Sequence, residues 1–439
     1  MKAKTVKIGL VGYGTVGTGV AKILFENADA ITKRTGLKLE LTRVVDKDTT
    51  SPRSFQLPEG ILTDELEVLL EDASIDIALE LVGGTTFAKN LQLKLLRSGK
   101  HVVTANKALL AEHGSELFRE ALDAGRCIAF EASCCGGIPI VSALRTGLAA
   151  NQIDAFYGIF NGTCNYILTN MTQHAAAFSD VLKEAQKKGF AEADPTLDIN
   201  GMDTAHKLAI LAGLAFSCKI VMNDVYVEGI ENIDIADIRN ALEMGYILKL
   251  LAIGEKDADG RISLRVHPAF ISDHTPLAQV DGPFNAVSVF GNAVGNVMLY
   301  GRGAGMMATA SAVVADIIDI ALGNSQPMFE NLAMAREIKR SATFKPMDEL
   351  NGRFYIRIMA KDEPGVFAKY ALVLGKHEIS ISGVIQHEWT GPDNTVPVVI
   401  TTHPTQQKNI TAALLELEQL DVISGRPVCI RIVDIPEDK

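Results

Sequence analysis

The stretch "KIGLVGYGTVGTGV", residues 7–20, limits the fold of this chain more than any other. An apolar run that reads as a buried strand passes into Gly12, Tyr13, Gly14, Thr15, Val16 and Gly17, and then into a helical pattern. Three glycines in G-x-G-x-x-G spacing mean little more than a tight turn when they stand alone. Between a strand and a helix they let the backbone approach a pyrophosphate, which then sits at the positive helix N-terminus. The loop from Gly12 to Gly17 is therefore the expected floor of a nicotinamide-dinucleotide site. The next strand pattern ends in "RVVDKD". Asp46 there suits an adenosine ribose and NAD, whereas Arg43, Lys47 and Arg53 suit a 2′-phosphate and NADP.

The same alternation continues. "LKLELTRVVD", "IDIALELVG", "KHVVTANK" and "RCIAFEAS" read as strands; "TTFAKNLQLKLLRSG" and "ALLAEHGSELFREALDAG" read as helices that end near glycine. Strands alternating with helices predict an α/β, Rossmann-type doubly wound parallel sheet over 1–138. Residues 139–300 change to longer strands, with "IDAFYGIFNGTCNYILT" and "RISLRVHPAF" read as two of them. This predicts an α+β substrate-binding and dimerisation domain. The glycine turn and apolar helix at 301–323 are expected to pack back on the first domain. Residues 324–349 read as a linker. The last segment, 350–439, runs strand, helix, strand, strand, helix, strand, a βαββαβ order.

At 439 residues, two or three domains are expected. A formal charge of −11 argues against nucleic acid as a partner, because phosphate binding needs a basic face. No apolar run approaches the roughly 20 residues that span a bilayer, and the start does not read as a signal peptide. Six cysteines without a C-x-x-C pair suit reduced thiols in a cytoplasm.

Two lysines stand out as acid–base groups. Lys107, in "VVTANKALL", follows a strand at the end where such sheets bind ligands. Lys207 shares a helix face with Asp203, at i and i+4, in "LDINGMDTAHKLAILAGLAF". Asp203 is placed to hold the ammonium, and burial against the apolar helix is expected to ease its deprotonation. A surface ion pair fits that spacing equally well. Just upstream, Glu192, Asp194 and Asp198 form either a solvated acidic loop or a carboxylate pocket for a cationic group.

These motifs, with "ELVGG", "FEASCCGGIPI", "GIFNGTCNYILT", "AEADPTLDINGMDTAHKLAILA" and "YGRGAGMMATASAVVADI", resemble those of bacterial homoserine dehydrogenases carrying a C-terminal ACT domain. The likeness covers essentially the whole chain. It implies NAD(P)-dependent interconversion of L-homoserine and L-aspartate 4-semialdehyde, with Lys207 as proton donor and acceptor and Asp203 orienting it. It further implies Glu192 at the substrate's amino group with Asp198 nearby, and Lys107 near the cofactor and reacting carbonyl. Gly303 joins the glycine loop among its cofactor-binding residues. A monovalent cation, sodium in this resemblance, is expected on the Glu131 side chain and the carbonyls of Cys134, Gly136 and Ile138. Many relatives have an arginine where this chain has Val45, which speaks against strict NADP use. "KDEPGVFAKYALVL", with Asp362, Glu363, Pro364 and Gly365, is the ACT signature. It implies feedback inhibition by L-threonine and a homo-oligomer, dimer or tetramer. The absence of a kinase segment before the first strand implies a monofunctional enzyme.

Two rival readings remain at this level. Cys134 or Cys135 is the nucleophile of a thiol-dependent aldehyde dehydrogenase. Alternatively, the fold is a nucleotide- and amino-acid-binding sensor without turnover, which would leave a proton donor without purpose.

Overall fold

The computed structural model describes residues 3–332, 342–386 and 394–436. Apolar strands separated by helical segments bury both faces only in a parallel sheet with crossover helices. Such a unit opens the chain: β1 (Lys4–Val11), α1 (Thr15–Glu26), α2 (Ala28–Thr35), β2 (Leu37–Val45) and β3 (Leu62–Thr63). It continues with α3 (Leu66–Glu71), β4 (Ile77–Glu80), α4 (Thr86–Arg97), β5 (His101–Thr104), α5 (Lys107–Asp123) and β6 (Ile128–Ala129). Every pairing is parallel and the order is β3-β2-β1-β4-β5-β6. The direction of winding reverses between β1 and β4, which opens a crevice at their carboxyl ends, beside the glycine turn.

The second region comprises α6 (Ile140–Ser142), β7 (Ile153–Ile159), α7 (Gly162–His174), α8 (Phe178–Lys187), α9 (Thr196–Ile199) and α10 (Met202–Ala215). Next come β8 (Val225–Val227), α11 (Ile235–Glu243), β9 (Tyr246–Lys256), β10 (Ile262–Ser272), β11 (Phe284–Gly291) and β12 (Gly295–Arg302). The long strand expected over 153–169 is corrected here. β7 ends at Ile159, and Asn161 starts a helix by accepting the Cys164 N–H on its Oδ1 at 2.7 Å. A capped, largely buried helix outcompetes the continuation of the strand. β9 and β10 pair antiparallel along their full lengths, and α10 packs across both.

α12 (Met306–Ala321) lies against α1, so closely that a Cβ at Gly19 would come within 2.9 Å of Met306. α13 (Ser325–Glu330) follows, with Phe329 buried edge-on against Phe118 at 5.5 Å. The expected linker over 324–349 is therefore corrected for its first part, which docks in the core through that aromatic ring. Residues 333–341 lie outside the described residues.

The last unit is β13 (Asn351–Lys361), α14 (Val366–Lys376), β14 (Ile381–Gln386), β15 (Thr395–Thr402), β16 (Thr405–Gln406), α15 (Gln407–Glu418) and β17 (Ile423–Ile432). Its strands lie in the order β17-β13-β15-β14, around a core of its own that includes Ile356, Leu374, Val398, Ile410 and Leu417. Residues 387–393, between β14 and β15, lie outside the described residues. β17 pairs parallel with β10 at Ala269–Arg431 and Phe270–Ile432, joining this sheet to the preceding one. Among the described residues no helix is long and apolar enough to cross a membrane.

Candidate active site

α10 is almost wholly buried, and it carries Asp203 and Lys207 into that interior. Lys207 Nζ donates to Asp203 Oδ2 at 2.7 Å and to the Phe160 carbonyl at 2.6 Å. The other oxygen of Asp203 meets Lys107 Nζ at 3.0 Å. Lys107 is the first residue of α5, whose N-cap Asn106 accepts the Leu109 N–H and donates to Gly84 O at 2.7 Å. One carboxylate thus ties the second region to the crevice of the parallel sheet.

Burial alone would push Asp203 up, but the ammonium groups of Lys207 and Lys107 hold it well below the usual carboxylate range. For Lys207, burial opposes the charge, yet Asp203 beside it raises its pKa above the ordinary lysine value. Burial does act in the expected direction, but Asp203 outweighs it, so the paired lysine keeps its proton more tightly than a free one. An ammonium has three donors, and two are spent here. The third remains for an oxygen in the crevice.

Two residues that sequence reasoning missed complete this group. Asn161 Nδ2 donates to Asp198 Oδ1 at 2.7 Å and to Asp203 Oδ2 at 2.8 Å. Asn285 Nδ2 donates at 2.9 Å to the same Phe160 carbonyl that Lys207 uses. Their signal was weak because their partners lie 37 to 125 residues away. Asp198 is pushed up by burial and by Asp203. Glu192 lies apart, on an exposed turn after α8, and Asp194 there bonds Thr196. The acidic block is therefore split, Asp198 inward and Glu192 outward.

At the dinucleotide end, Gly12 has φ +101° and a Cβ there would lie 2.6 Å from the Leu81 backbone; one at Gly17 would collide with Gly12 O. Only glycine permits that closeness. Asp46 Oδ2 accepts the Tyr13 N–H at 2.5 Å and Oδ1 accepts the Asp48 N–H at 2.9 Å. Tyr13 OH donates to Phe55 O, and Arg53 Nε reaches Tyr13 O at 3.0 Å. Thr15 and Val16 begin α1. Lys47 lies over the Phe87 ring, whereas Arg43 folds back on Thr42 O. Gly303 packs on Asn285 and on Gly136, so tightly that a Cβ would collide with the amide.

Glu131 is buried beside this junction, and its two oxygens accept the Val141 and Ser142 N–H groups at 2.8 and 2.7 Å. Burial raises it even so. Cys135 and Gly136 follow in left-handed backbone, φ 55° and 45°. A cavity of about 410 Å³ is lined by Glu131, Gly136, Ile138, Asp316 and Asp319 among others. Cys134 and Cys135 are buried, and burial pushes the Cys135 thiol up to about 11, with Cys134 higher still. Neither is a thiolate at neutral pH, which removes the basis for a thiol nucleophile.

The family model described as "Homoserine dehydrogenase" matches residues 139–318, and the one described as "Homoserine dehydrogenase, NAD binding domain" matches 12–131. The homoserine dehydrogenase of Neisseria gonorrhoeae is 44% identical, over 98% of this chain and 99% of its own. That of Bacillus subtilis is 40% identical, over 96% of each. Among solved structures, a homoserine dehydrogenase from Thiobacillus denitrificans superposes with a TM-score of 0.90 at 40% identity, covering 99% of this chain and 100% of that one. A hyperthermophilic archaeal homoserine dehydrogenase mutant in complex with NADPH matches 73% of this chain and 98% of its own, with a TM-score of 0.60 at 27% identity.

Proposed function

The chain belongs to the homoserine dehydrogenase family, and from that premise we propose how its residues divide the work of an NAD(P)-dependent oxidoreductase. The observation that carries the reading is Asp203, one buried carboxylate between Lys107 and Lys207. In the reductive direction, the bound dinucleotide would supply a hydride for the carbonyl carbon of L-aspartate 4-semialdehyde. Negative charge builds on the oxygen, and Lys207 stabilises it and delivers its proton through its third N–H, giving L-homoserine. In the oxidative direction Lys207 takes the hydroxyl proton only in its neutral form, which its raised pKa reserves for alkaline pH. Asp203 and the Phe160 carbonyl orient Lys207; Lys107 lies on the cofactor side of Asp203. Asp198 is the inward carboxylate for the substrate's ammonium end, and Glu192 serves it from the exposed turn once substrate is bound.

Gly12 to Gly17 and Gly303 would hold the dinucleotide, which supplies the hydride acceptor. Asp46 is tied to the Tyr13 amide and adds negative charge near the ribose, while Arg53 and Lys47 add positive charge. NAD and NADP both fit that mixture. Glu131 with the carbonyls of Cys134, Gly136 and Ile138 suits a hard monovalent cation such as sodium, through oxygen ligands alone. A cation there would compensate a carboxylate that burial otherwise disfavours.

The C-terminal unit is read as an ACT domain that senses L-threonine, in an enzyme that works as a dimer or tetramer. Its strand order and the Gly365 turn before α14 support that reading. Contacts link this unit to the segment beside the site: Arg431 bonds Glu228 at 2.6 Å, and the nearby Ile230 N–H donates to Ile199 O, next to Asp198.

The test is absorbance at 340 nm with L-homoserine and either NAD+ or NADP+, for the parent and Lys207→Ala. Turnover in the parent and severe loss in the variant supports the lysine's role, and the faster cofactor is the preferred one. Cofactor binding without turnover would favour the sensor instead. Deleting residues 350–439 should leave turnover and abolish inhibition by L-threonine; equal inhibition of the truncated enzyme would refute the regulatory assignment.

A further inference from the structure

Asn161 does three things with one amide. Its Oδ1 caps α7 through the Cys164 N–H at 2.7 Å, and its Nδ2 donates to Asp198 Oδ1 and Asp203 Oδ2 at 2.7 and 2.8 Å. The residue is buried, and its chain neighbour Phe160 supplies the carbonyl on which Lys207 Nζ rests. All of its polar capacity is committed, and two of its three side-chain bonds end on carboxylates of the catalytic group.

We propose that Asn161 is a positioning residue for proton transfer at Lys207. Two carboxylates on neighbouring helices, Asp203 buried and Asp198 half-buried, repel each other and both lose hydration. A neutral amide between them offers each one N–H and adds no charge. Asp198 therefore stays anionic beside Asp203, as a cationic substrate end requires. The same bond fixes the rotation of the Asp203 carboxylate, with Oδ2 toward Lys207 and Oδ1 toward Lys107. Because Oδ1 of Asn161 is locked by the α7 cap, the amide cannot flip without losing all three bonds. The cap thus sets the orientation of the acid–base pair from outside it. The charged and titratable groups facing the two carboxylates are Lys107, Lys207, His206, Cys135 and Cys164, and Cys134 faces Lys207. None of them substitutes for the amide, because among the described residues no other side chain hydrogen-bonds both carboxylates.

This inference rests on Lys207 as the proton-transfer group. The informative variants are Asn161→Ser and Asn161→Ala in the full-length enzyme. Serine preserves a cap acceptor and removes the bridge; alanine removes both. The readouts are the thermal midpoint and, in the reductive direction where protonated Lys207 is the competent form, kcat, KM for L-aspartate 4-semialdehyde and the acid limb of the pH profile, with Lys207→Ala measured alongside. The expected result is that Asn161→Ser melts close to the parent, loses at least about tenfold in kcat, and has its acid limb displaced to higher pH as Asp198 takes up a proton more readily. Asn161→Ala shows the same kinetic change with a lower melting midpoint. Parent-like kcat in Asn161→Ser, or a fall in kcat with an unmoved acid limb, would overturn the proposal and leave Asn161 a helix cap only. If Lys207→Ala itself retains parental turnover, the underlying proton-donor reading fails, whatever the Asn161 variants do.

Discussion

Two junctions in this molecule are built from buried ion pairs, and they are built differently. At the Asp203 junction, one carboxylate serves two lysines, and Lys207 keeps a donor in reserve. At the C-terminal junction, Asp237 on α11 takes Arg357 Nε at 2.6 Å and Nη2 at 2.9 Å, and Tyr355 OH at 2.8 Å. Asn240 then donates to that Tyr355 oxygen. The Asp237 carboxylate is engaged by a guanidinium that holds it with two parallel bonds and does not give up its proton. A bidentate arginine–carboxylate pair fixes geometry, whereas an ammonium with one N–H free beside a rigid acceptor can deliver a proton. The kind of cation separates the two where burial and charge do not.

The contrast breaks first at Lys207. Lys207→Ala should lower kcat by about 10²–10⁴, the range of a lost general acid–base group, with the fold intact by circular dichroism. Asp237→Ala should do the reverse. It strands Arg357 in the interior and costs about 3–5 kcal/mol of stability, read as a lower urea midpoint, while turnover per folded molecule stays near the parent. If Asp237→Ala were the variant that lost turnover and kept its stability, the distinction would be misdrawn.

The pH dependence sharpens the comparison further. Asp203 has a depressed native pKa, so its stabilising contribution is present above the unfolded carboxylate value and is lost as pH falls through the native one. Lys207 has a raised native pKa, so its contribution is full below the ordinary lysine value and is lost as pH climbs through the native one. Asp203→Asn should therefore flatten the acid side of a plot of urea midpoint against pH. The smallest effect is expected at the thiols: Cys135→Ser should change kcat by no more than about threefold, since no thiolate is used. Loss of all activity there would restore the thiol mechanism.

The parts legible in the sequence were those carried by local spacing. Asp203 and Lys207 at i and i+4, and the glycine loop between a strand and a helix, stand in the structure where the pattern placed them. What was illegible needed either a cap or a count. Reading 153–169 as one strand hid Asn161, and the two errors are the same error. An asparagine followed by Gly-Thr ahead of "CNYILT" is a helix-start pattern, and taking it as such would have broken the strand and exposed the residue. The raised pKa of Lys207 follows from Asp203, the i−4 partner that the spacing supplies, whose charge outweighs the burial of the lysine. What the spacing does not supply is the rest of the contact set: Phe160 O lies 47 residues from Lys207 and Lys107 lies 96 from Asp203, and no helical period encodes either. Glu192 and Asp198 fell on opposite sides of a turn that their spacing had left undivided.

The most direct test of the account is single-turnover reduction of L-aspartate 4-semialdehyde by the pre-bound reduced cofactor, followed at 340 nm across pH for the parent and Lys207→Ala. With Lys207 protonated in the resting enzyme, the parent rate should hold through neutral and mildly alkaline pH and fall only above the ordinary lysine range, while the variant should be slower by about 10²–10⁴ with that high-pH limb gone. A variant within about threefold of the parent, keeping the same limb, would contradict the claim that Lys207 gives the proton.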